Sequence, residues 1–312
     1  MNYILLGFSF LTTNIILIGS LLNAFENMLP IFLIKMLRYG KFTCKAQLPK
    51  MYSTFILEVP KSWFKHFYIL AVLTYSYIVY LTISTYIFKK EIPVWFNTLL
   101  TLLCGEGRTA ATSATKVFIA TILMTLQVYR RFYDTQFISV FAKDVKINVA
   151  LYLMGLYHYA ACPLAILCEA PKFAAYSTAP DTIALDSTTY LDIFVIVLFI
   201  WAWRHQYITS KILGDLRKNK KGDIVTNDYK LPKGDWFNYL SCPHQTAEVL
   251  MYAAVTVLLH KNITWLFVFA WVLTNQVETM LLSHWWYQEA FDQFPKSRKA
   301  LIPYVKHILY LL

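Results

Sequence analysis

Charged residues are scarce in this sequence. Only 15% of its 312 residues are Asp, Glu, Lys or Arg, whereas 57% are hydrophobic and the mean hydropathy is +0.45. An ordinary soluble domain has about a quarter of its residues charged. The composition therefore excludes that class and favours a protein embedded in a membrane.

Cysteine and histidine are few and scattered. The five cysteines show no CxxC spacing, and the seven histidines form no His-box cluster. Disulfide frameworks, zinc sites and membrane di-iron centres each need clustered ligands, so we expect no metal.

A net charge of +11 is also typical of proteins that bind nucleic acid, but the sequence has no Arg-rich tail and no known nucleic-acid module. We expect the positively charged residues to lie in cytosolic loops and to bind a phosphate-bearing ligand instead.

The first apolar run lacks the features of a cleaved signal peptide. Residues 3–24 contain no charge, are longer than a signal-peptide core, and have neither a basic segment before them nor a convincing small-residue cleavage site. We interpret this run as a retained first span.

Long apolar runs recur along the chain. A spanning helix needs about 20 mostly apolar residues, and the candidates are 3–24, 67–88, 109–129, 149–168, 187–204, 245–260 and 263–284. The third contains Lys116, which must face protein or water, and the fifth contains Asp192 near its start. Residues 94–104 are too short to span and are predicted to be re-entrant or superficial. The sequence predicts an all-α membrane protein with seven transmembrane helices in one integral domain, 1–312.

Charges in the loops orient these helices. Residues 25–66 carry seven Lys or Arg against two Glu, and residues 204–235 carry eight against four Asp. Residues 169–186 hold three acidic residues and one Lys. Because cytosolic loops are enriched in Lys and Arg, the basic loops after spans one, three, five and seven place the N-terminus in the lumen and the C-terminus in the cytosol.

Ionisable side chains at the head of the sixth span form a first candidate site. His244 and Glu248 are four residues apart and share one helical face, which Tyr252 continues. A buried polar group is costly unless something binds it. The pair therefore indicates either contacts to a cofactor wedged between helices or an interhelical hydrogen bond that fixes packing, and the residues alone leave both interpretations open.

The last predicted span carries a polar stripe that cannot face lipid. Its members are Asn275, Glu278, Thr279, Ser283, His284 and Tyr287. For His284, a hydrogen bond to a neighbouring helix explains the residue as well as a ligand contact does. Arg298 and Lys299 follow closely and favour the ligand.

A comparable polar stripe lies at the C-terminal end of the fifth predicted span. His205, Gln206 and Ser210 lead to Arg217 at the predicted cytosolic mouth. An arginine in that position is often only an anchor at the membrane surface. Three basic segments converge on this face, however, which indicates an anionic, phosphate-bearing ligand.

Glu58 lies just before the second span, in the sequence FILEVPKSW. A carboxyl group among apolar neighbours can stay protonated and donate a hydrogen bond. The alternative is a surface glutamate that pairs with Lys61, and the local sequence alone favours this alternative.

Residues 105–110, GEGRTA, match the glycine pattern of a dinucleotide-binding turn. That pattern works only after a parallel strand and with an acidic residue about 20 positions later. Here a leucine-rich piece precedes it, and the next carboxylate after Glu106 is Asp134. A nicotinamide nucleotide would therefore bind without a Rossmann domain.

Several long motifs resemble one known family. The chain is similar to the C-terminal domain of the 3-oxo-5α-steroid 4-dehydrogenases, or steroid 5α-reductases, in GDWFNY at 234–239, SCPH at 241–244, HxxY at 284–287 and FPKSRKA at 294–300. It resembles the polyprenol reductase branch in residues 38–41, 59–68 and 205–220. Residues 205–312 correspond to the family's cofactor-binding region.

This resemblance implies a seven-helix fold in the endoplasmic reticulum membrane that binds NADPH between its later helices. The cofactor contacts implied by position are Arg217, Tyr229, His244, Glu248, His284, Tyr287 and Arg298. The polar stripes and basic segments add Gln206, Ser210, Asn275 and Lys299 to the predicted cofactor site. The family's catalytic glutamate falls on Glu58. Its catalytic tyrosine falls on Val128 with Tyr129 beside it, so Tyr129 is the second predicted catalytic residue.

Elementary chemistry then narrows the substrate. Hydride adds to an electron-poor carbon, and the α-isoprene double bond of a polyprenol is only allylic to a hydroxyl group. In polyprenal the same bond is conjugated to a carbonyl, so we expect polyprenal as the direct substrate, with Glu58 stabilising the developing enolate. The product would be dolichal, on the way to dolichol for N-glycosylation. The expected partner is a long-chain polyprenoid lipid, which enters a cavity open sideways to the membrane.

Three alternatives stay open. A steroid Δ4-reductase would turn over testosterone. A membrane isoprenylcysteine methyltransferase would be stabilised by S-adenosylmethionine instead of NADPH. A non-enzymatic lipid-binding or scaffold protein would tolerate Glu58→Gln and Arg298→Ala.

Overall fold

The computed structural model describes residues 1–30, 34, 57–141, 145–219, 221–226 and 228–301, and the motif at 38–41 lies outside them. The described chain is mainly helical. Its long helices are α1 (Tyr3–Phe25), α2 (Phe64–Tyr86), α3 (Val94–Cys104), α4 (Ala114–Tyr133), α5 (Val149–Leu167), α6 (Tyr190–Asp215), α7 (Pro243–Leu258) and α8 (Ile263–Ala290). Short 3-10 turns at Glu26–Met28, Lys61–Trp63, Leu185–Ser187 and Asp235–Asn238, and a π turn at Asp134–Ile138, lie between or extend them.

Five helices are long and apolar enough to cross a membrane, namely α1, α2 with the 3-10 turn before it, α5, α6 and α8. The predicted all-α membrane class is confirmed at this level. Helices α4 and α7 form at the third and sixth predicted spans but are not among the five. Helix α7 has only 16 residues, and α4 carries Arg130 and Arg131 in its last turn, which lowers its hydropathy. Helix α3 has 11 residues and is too short to span.

The helices pack around one apolar core. Helix α1 lies against α8, α2 lies against α4 and α5, and α6 lies against α7. Trp265, Tyr75 and Tyr252 are among the largest fully buried side chains. The rings of Tyr252 and Trp265 stack with centroids 5.8 Å apart, so the contact between α7 and α8 is made largely by aromatic surface.

Polar contacts tie both ends of α1 to α8. Asn2 Nδ2 donates to Thr264 Oγ1 at 2.7 Å, and Asn23 Nδ2 donates to Glu278 Oε2 at 3.0 Å. Gly19 allows the close approach between them, since a Cβ at this position would lie 3.1 Å from the carboxyl carbon of Glu278. The first apolar run is therefore an integral part of the packing.

The charged residues inside the third and fifth predicted spans meet each other. Lys116 Nζ lies 2.8 Å from Asp192 Oδ1, and Asp192 is almost fully buried. Thr189 and Asp192 also form a reciprocal capping box at the start of α6. The expectation that Lys116 faces protein is confirmed.

Two small sheets connect segments that are distant in sequence. They are formed by β1 (Glu58–Pro60), β2 (Thr109–Ala110), β3 (Lys146–Asn148) and β4 (Tyr176–Ser177). Strand β1 pairs antiparallel with β3, and β2 pairs parallel with β4.

The glycine pattern at 105–110 follows helix α3 and not a strand, as expected for a segment that is not a dinucleotide-binding turn.

Candidate active site

Two adjoining cavities lie among the helices. The inner cavity has a volume of about 430 Å³ and extends between α2, α5, α7 and α8. The outer cavity has a volume of about 380 Å³ and extends between the end of α6, residues 228–230 and α8. They share a wall formed by Lys61, Phe64, Arg131, Ser139, His244, Gln245 and Thr279. Ligands in the two cavities would therefore lie against the same side chains.

Three predicted cofactor residues line the inner cavity. His244 and Glu248 lie one turn apart on α7, as their spacing predicted, and Asn275 comes from α8. Pro243 occupies the first turn of α7, where its missing N–H costs no hydrogen bond. Apolar side chains complete the lining, among them Leu151, Met154 and Trp271. The cavity thus combines a polar end with apolar walls.

Four of the eight remaining predicted cofactor residues line the outer cavity. They are Ser210, Arg217, Tyr229 and Tyr287. The Arg217 guanidinium lies 5.2 Å from the ring centroid of Tyr229, and its Nη1 donates to the carbonyl of Val140 at 2.7 Å. These contacts fix the position of a positive charge on the wall, and Lys230 adds a second one. Such a lining suits an anionic ligand.

Gln206 lies behind the inner cavity. Its Nε2 donates to Glu248 Oε2 at 3.1 Å and to the carbonyl of His244 at 3.0 Å. Its Oε1 accepts from Gln127 Nε2 at 2.7 Å and from Arg130. The side chain is buried and lines neither cavity, so its geometry is that of a residue that orients Glu248.

His284 and Lys299 lie beside the outer cavity and line neither cavity. His284 Nδ1 and Ser241 Oγ are 2.7 Å apart. The Ser241 amide donates to the Lys299 carbonyl at 2.9 Å, and the Lys299 amide donates to the Tyr239 carbonyl at 2.8 Å. Both residues therefore hold the segment that precedes Cys242, which itself lines the outer cavity.

Arg298 is the most unusual of the predicted residues. Its side chain is only 3% exposed, and its Nη2 donates to the carbonyl of Pro232 at 3.1 Å. Among the described residues, its Nε and Nη1 have no hydrogen-bond partner. Burial lowers the pKa of Arg298, and Tyr287 of the outer cavity interacts with it electrostatically. Two buried, unpaired N–H groups on a guanidinium are costly, and a phosphate group would satisfy them.

Glu58 is half exposed, as the local sequence favoured, but its charged neighbour differs from the expected one. The side chain is 48% exposed, and its Oε2 lies 4.0 Å from Lys146 Nζ, not beside Lys61. Side chains alternate across a strand, and in β1 it is Val59 that is buried while Glu58 points outward. Glu58 lines neither cavity, although Lys61, three residues later, lines both.

Tyr129 also lies away from the two cavities. Its side chain is 47% exposed, and its hydroxyl group is 2.7 Å from Ser76 Oγ on α2. Val128 beside it is buried and lines neither cavity. The next residue of α4 to reach the site is Arg131, which belongs to the shared wall.

Sequence reasoning missed the side chains that α2, α4 and α5 contribute to the inner cavity. Tyr68, Arg131 and Tyr159 all line it. Arg131 Nε donates to the Tyr68 hydroxyl at 3.2 Å, and the Tyr68 and Tyr159 rings lie 5.0 Å apart. One signal was available. Arg131 and Asp134 form an i,i+3 pair directly after the third predicted span, and charges in that position indicate a buried polar cluster.

The C-terminal half of the site lies in a recognised family region. Residues 172–306 match the family model described as 3-oxo-5-alpha-steroid 4-dehydrogenase. This region contains α6, α7 and α8 and, together with the loops between them, supplies most of the residues that line the outer cavity.

Relatives that match most of the chain are more specific. Polyprenal reductase of Drosophila melanogaster is 36% identical over 307 residues, which cover 97% of this chain and 93% of the relative. Polyprenal reductase of Homo sapiens is 33% identical over 274 residues, 86% of this chain and 85% of the relative. That of Caenorhabditis elegans is 34% identical over 253 residues, 80% of each chain. The chain belongs to the polyprenal reductase branch of the 3-oxo-5-alpha-steroid 4-dehydrogenase family, as its motifs predicted.

Proposed function

We propose that this chain uses NADPH to reduce the α-isoprene double bond of polyprenal, giving dolichal. The observation that carries this proposal is the 36% identity to the Drosophila melanogaster polyprenal reductase over 97% of the chain. The two adjoining cavities support it, because a reductase must bring two ligands together. Their shared wall would place the ends of those ligands side by side.

The outer cavity suits the phosphate groups of NADPH. Arg217 and Lys230 line it, and Arg298 beside it has buried N–H groups without a partner among the described residues. Arginine binds phosphate oxygens through paired, planar donors. We assign these three residues to the phosphates, with Tyr229 and Tyr287 against the adenosine part. Ser210, His284 and Lys299 would support this end of the site.

The shared wall and the polar end of the inner cavity suit the nicotinamide part. His244, Glu248 and Asn275 line the inner cavity there, and Gln206 holds the Glu248 carboxylate from behind. Bound in this way, NADPH would supply hydride to the β-carbon of the substrate. The protein would contribute the relative orientation of the two ligands and the exclusion of water.

The apolar part of the inner cavity suits the prenyl chain next to the aldehyde. Leu151, Met154 and Trp271 line it, and α5 and α8 are both apolar enough to span a membrane. A polyprenoid would therefore approach from the lipid side while the nucleotide approaches from the opposite, basic side.

This arrangement needs a defined topology. We propose that α4 and α7 cross the membrane together with the five longer helices, which gives seven spans. The polar side chains of α4 and α7 would face the two cavities and not lipid. The basic loops would lie in the cytosol and the N-terminus in the lumen of the endoplasmic reticulum.

The direct test is turnover by the purified protein in lipid nanodiscs. The protein is given NADPH with polyprenal, with the free polyprenol or with testosterone, and the products are identified by mass spectrometry. We expect dolichal from polyprenal and slower turnover of the other two. Faster reduction of the free alcohol would reverse the choice of substrate, reduction of testosterone alone would indicate a steroid reductase, and a lack of NADPH binding by fluorescence titration would exclude the proposal.

Glu58 remains the acid predicted by resemblance. Glu58→Gln removes the carboxyl proton, so we expect turnover to fall roughly 100-fold, the typical effect of removing one stabilising donor, while the dissociation constant for NADPH stays the same. Glu106→Gln, at another exposed glutamate, is the matched control. If Glu58→Gln keeps wild-type turnover, another residue stabilises the enolate.

A further inference from the structure

The inner cavity contains a tyrosine whose hydroxyl group is held by an arginine. Tyr68 is 6% exposed and lines the inner cavity. Its hydroxyl oxygen accepts a hydrogen bond from Arg131 Nε at 3.2 Å, and the Arg131 guanidinium carbon lies 5.2 Å from the centre of its ring. Since the arginine can only donate, the proton of the Tyr68 hydroxyl group does not point at it.

Arg131 is itself fixed in place. Its Nη1 lies 3.5 Å from Asp134 Oδ2, and the same carboxylate oxygen lies 3.1 Å from Arg130 Nε. Asp134 is fully buried, at the turn where α4 ends. Asp134 and Glu248 both interact electrostatically with the two arginines, and the charge nearest the Tyr68 oxygen is the Arg131 guanidinium that donates to it. Positive charge in that position makes a phenol hydroxyl a stronger hydrogen-bond donor.

The proposed reaction needs such a donor. Hydride addition to the β-carbon moves the π electrons of the C=C bond toward the carbonyl, so that negative charge develops on the aldehyde oxygen. One proton from water then reaches the α-carbon and restores the C=O bond, so that the balance is one hydride and one proton per saturated aldehyde. A preorganised donor at the oxygen accelerates the first step most.

Other polar groups of the inner cavity fit this role less well. Glu248 accepts a hydrogen bond from Gln206, and Lys61 belongs to the wall shared with the outer cavity. Neither Glu58 nor Tyr129 lines the inner cavity. Tyr68 combines burial, a fixed cation and a place on the lining of the inner cavity.

We propose that Tyr68 is a catalytic residue whose hydroxyl group donates a hydrogen bond to the aldehyde oxygen of the substrate in the inner cavity. Arg131 is the positioning residue that holds and polarises this hydroxyl. The inference rests on the proposed function and assigns a group that the sequence motifs do not identify.

The test compares Tyr68→Phe with Tyr152→Phe. Tyr152 hydrogen-bonds His66 at 3.0 Å and lines neither cavity, so its variant controls for the loss of a hydroxyl group near α2. We expect Tyr68→Phe to lower kcat for polyprenal by roughly 100-fold and to leave the dissociation constant for NADPH unchanged. Tyr152→Phe should keep the wild-type kcat. A Tyr68→Phe enzyme with wild-type kcat would overturn the inference.

A second variant covers the case in which Tyr68→Phe destabilises the protein, measured by thermal unfolding. Replacement of Tyr68 by 3,5-difluorotyrosine keeps the ring and the hydroxyl but makes the hydroxyl more acidic. Because a more acidic hydroxyl is a stronger hydrogen-bond donor, we expect kcat for polyprenal, measured below neutral pH, to stay at or above the wild-type value, and a loss as large as that of Tyr68→Phe would contradict the inference. If the wild-type protein does not reduce polyprenal at all, the proposed function is wrong. If the wild type reduces polyprenal but Tyr68→Phe behaves as wild type, only the role of Tyr68 is wrong.

Discussion

Arg298 illustrates how a single side chain can reveal a ligand. Without a ligand, its buried Nε and Nη1 have no hydrogen-bond partner among the described residues, so in the free protein the side chain contributes its bond to the Pro232 carbonyl and its contact with Phe294. With NADPH bound, replacing Arg298 also removes charge-assisted hydrogen bonds worth about 1.5–3 kcal/mol.

We therefore expect Arg298→Ala to weaken NADPH binding roughly 10- to 100-fold. The melting temperature of the free protein should fall, because the buried bond to the Pro232 carbonyl is lost, and the further increase in melting temperature on adding NADPH should be smaller than in the wild type. Fluorescence titration and thermal unfolding measure the two effects. Arg204→Ala, which removes an exposed arginine from α6, is the matched control. Equal NADPH affinity in both variants would contradict the assignment.

The residues that the sequence located are those whose spacing lies within one helix. His244 and Glu248 share a face because they are four positions apart, and the structure brings both to the inner cavity. Tyr68 and Arg131 could not be found in this way, because their contact joins α2 to α4 and depends on tertiary packing. The pairing of Glu58 with Lys146 and not Lys61 has a related cause, since the strand that turns Glu58 outward forms by pairing with residues about 90 positions later.

At the scale of elements, α1 and α8 are in contact at Gly19, which has no side chain. A Cβ at Gly19 would lie 3.1 Å from the Glu278 carboxyl carbon. Gly19→Leu must displace the Glu278 carboxyl group and disturb its bond with Asn23, and we expect the free energy of unfolding to fall by about 1–3 kcal/mol, the usual cost of overpacking. Gly107→Leu is the control, because no atom lies within 4 Å of a Cβ at that position. Chemical unfolding in detergent compares them, and equal stability would argue against tight packing of α1.

The ion pair between α4 and α6 makes a second prediction at this scale. Lys116→Met leaves the buried Asp192 carboxylate without its cation, so we expect a loss of about 3–5 kcal/mol. Lys172→Met breaks a pair with Asp181 that is about half exposed, and the loss of stability should be much smaller.

A double variant separates the pair from packing. Adding Asp192→Asn to Lys116→Met removes the unpaired charge and should recover part of the lost stability, as measured by chemical unfolding. A double variant less stable than Lys116→Met would show that Asp192 is stabilised mainly by its capping of α6.

For the whole molecule, orientation is the decisive property. The charge pattern predicts a lumenal N-terminus and a cytosolic C-terminus. A glycosylation tag placed before Met1 should be modified in microsomes, and a tag after the last residue should remain unmodified but accessible to protease. Modification of the C-terminal tag would mean an even number of spans or the opposite orientation.

Much of the architecture was predictable from the sequence, and the exceptions have physical causes. The apolar runs predicted where α1, α2, α5, α6 and α8 form, because burial in lipid requires long uncharged segments. The apolar runs could not establish whether α4 and α7 cross the membrane, since both helices contain polar residues that line cavities. The motifs identified the family, but they did not show that the site is divided into two cavities.

The wall shared by these cavities has a pharmacological consequence. His244, Gln245 and Thr279 border both spaces, so only side chains, and no helix backbone, would separate the two ligands. One elongated molecule with an anionic head and a short isoprenoid tail would then displace nucleotide and lipid together. Such a bisubstrate inhibitor would compete with each of them in kinetic assays, although neither half alone would bind tightly.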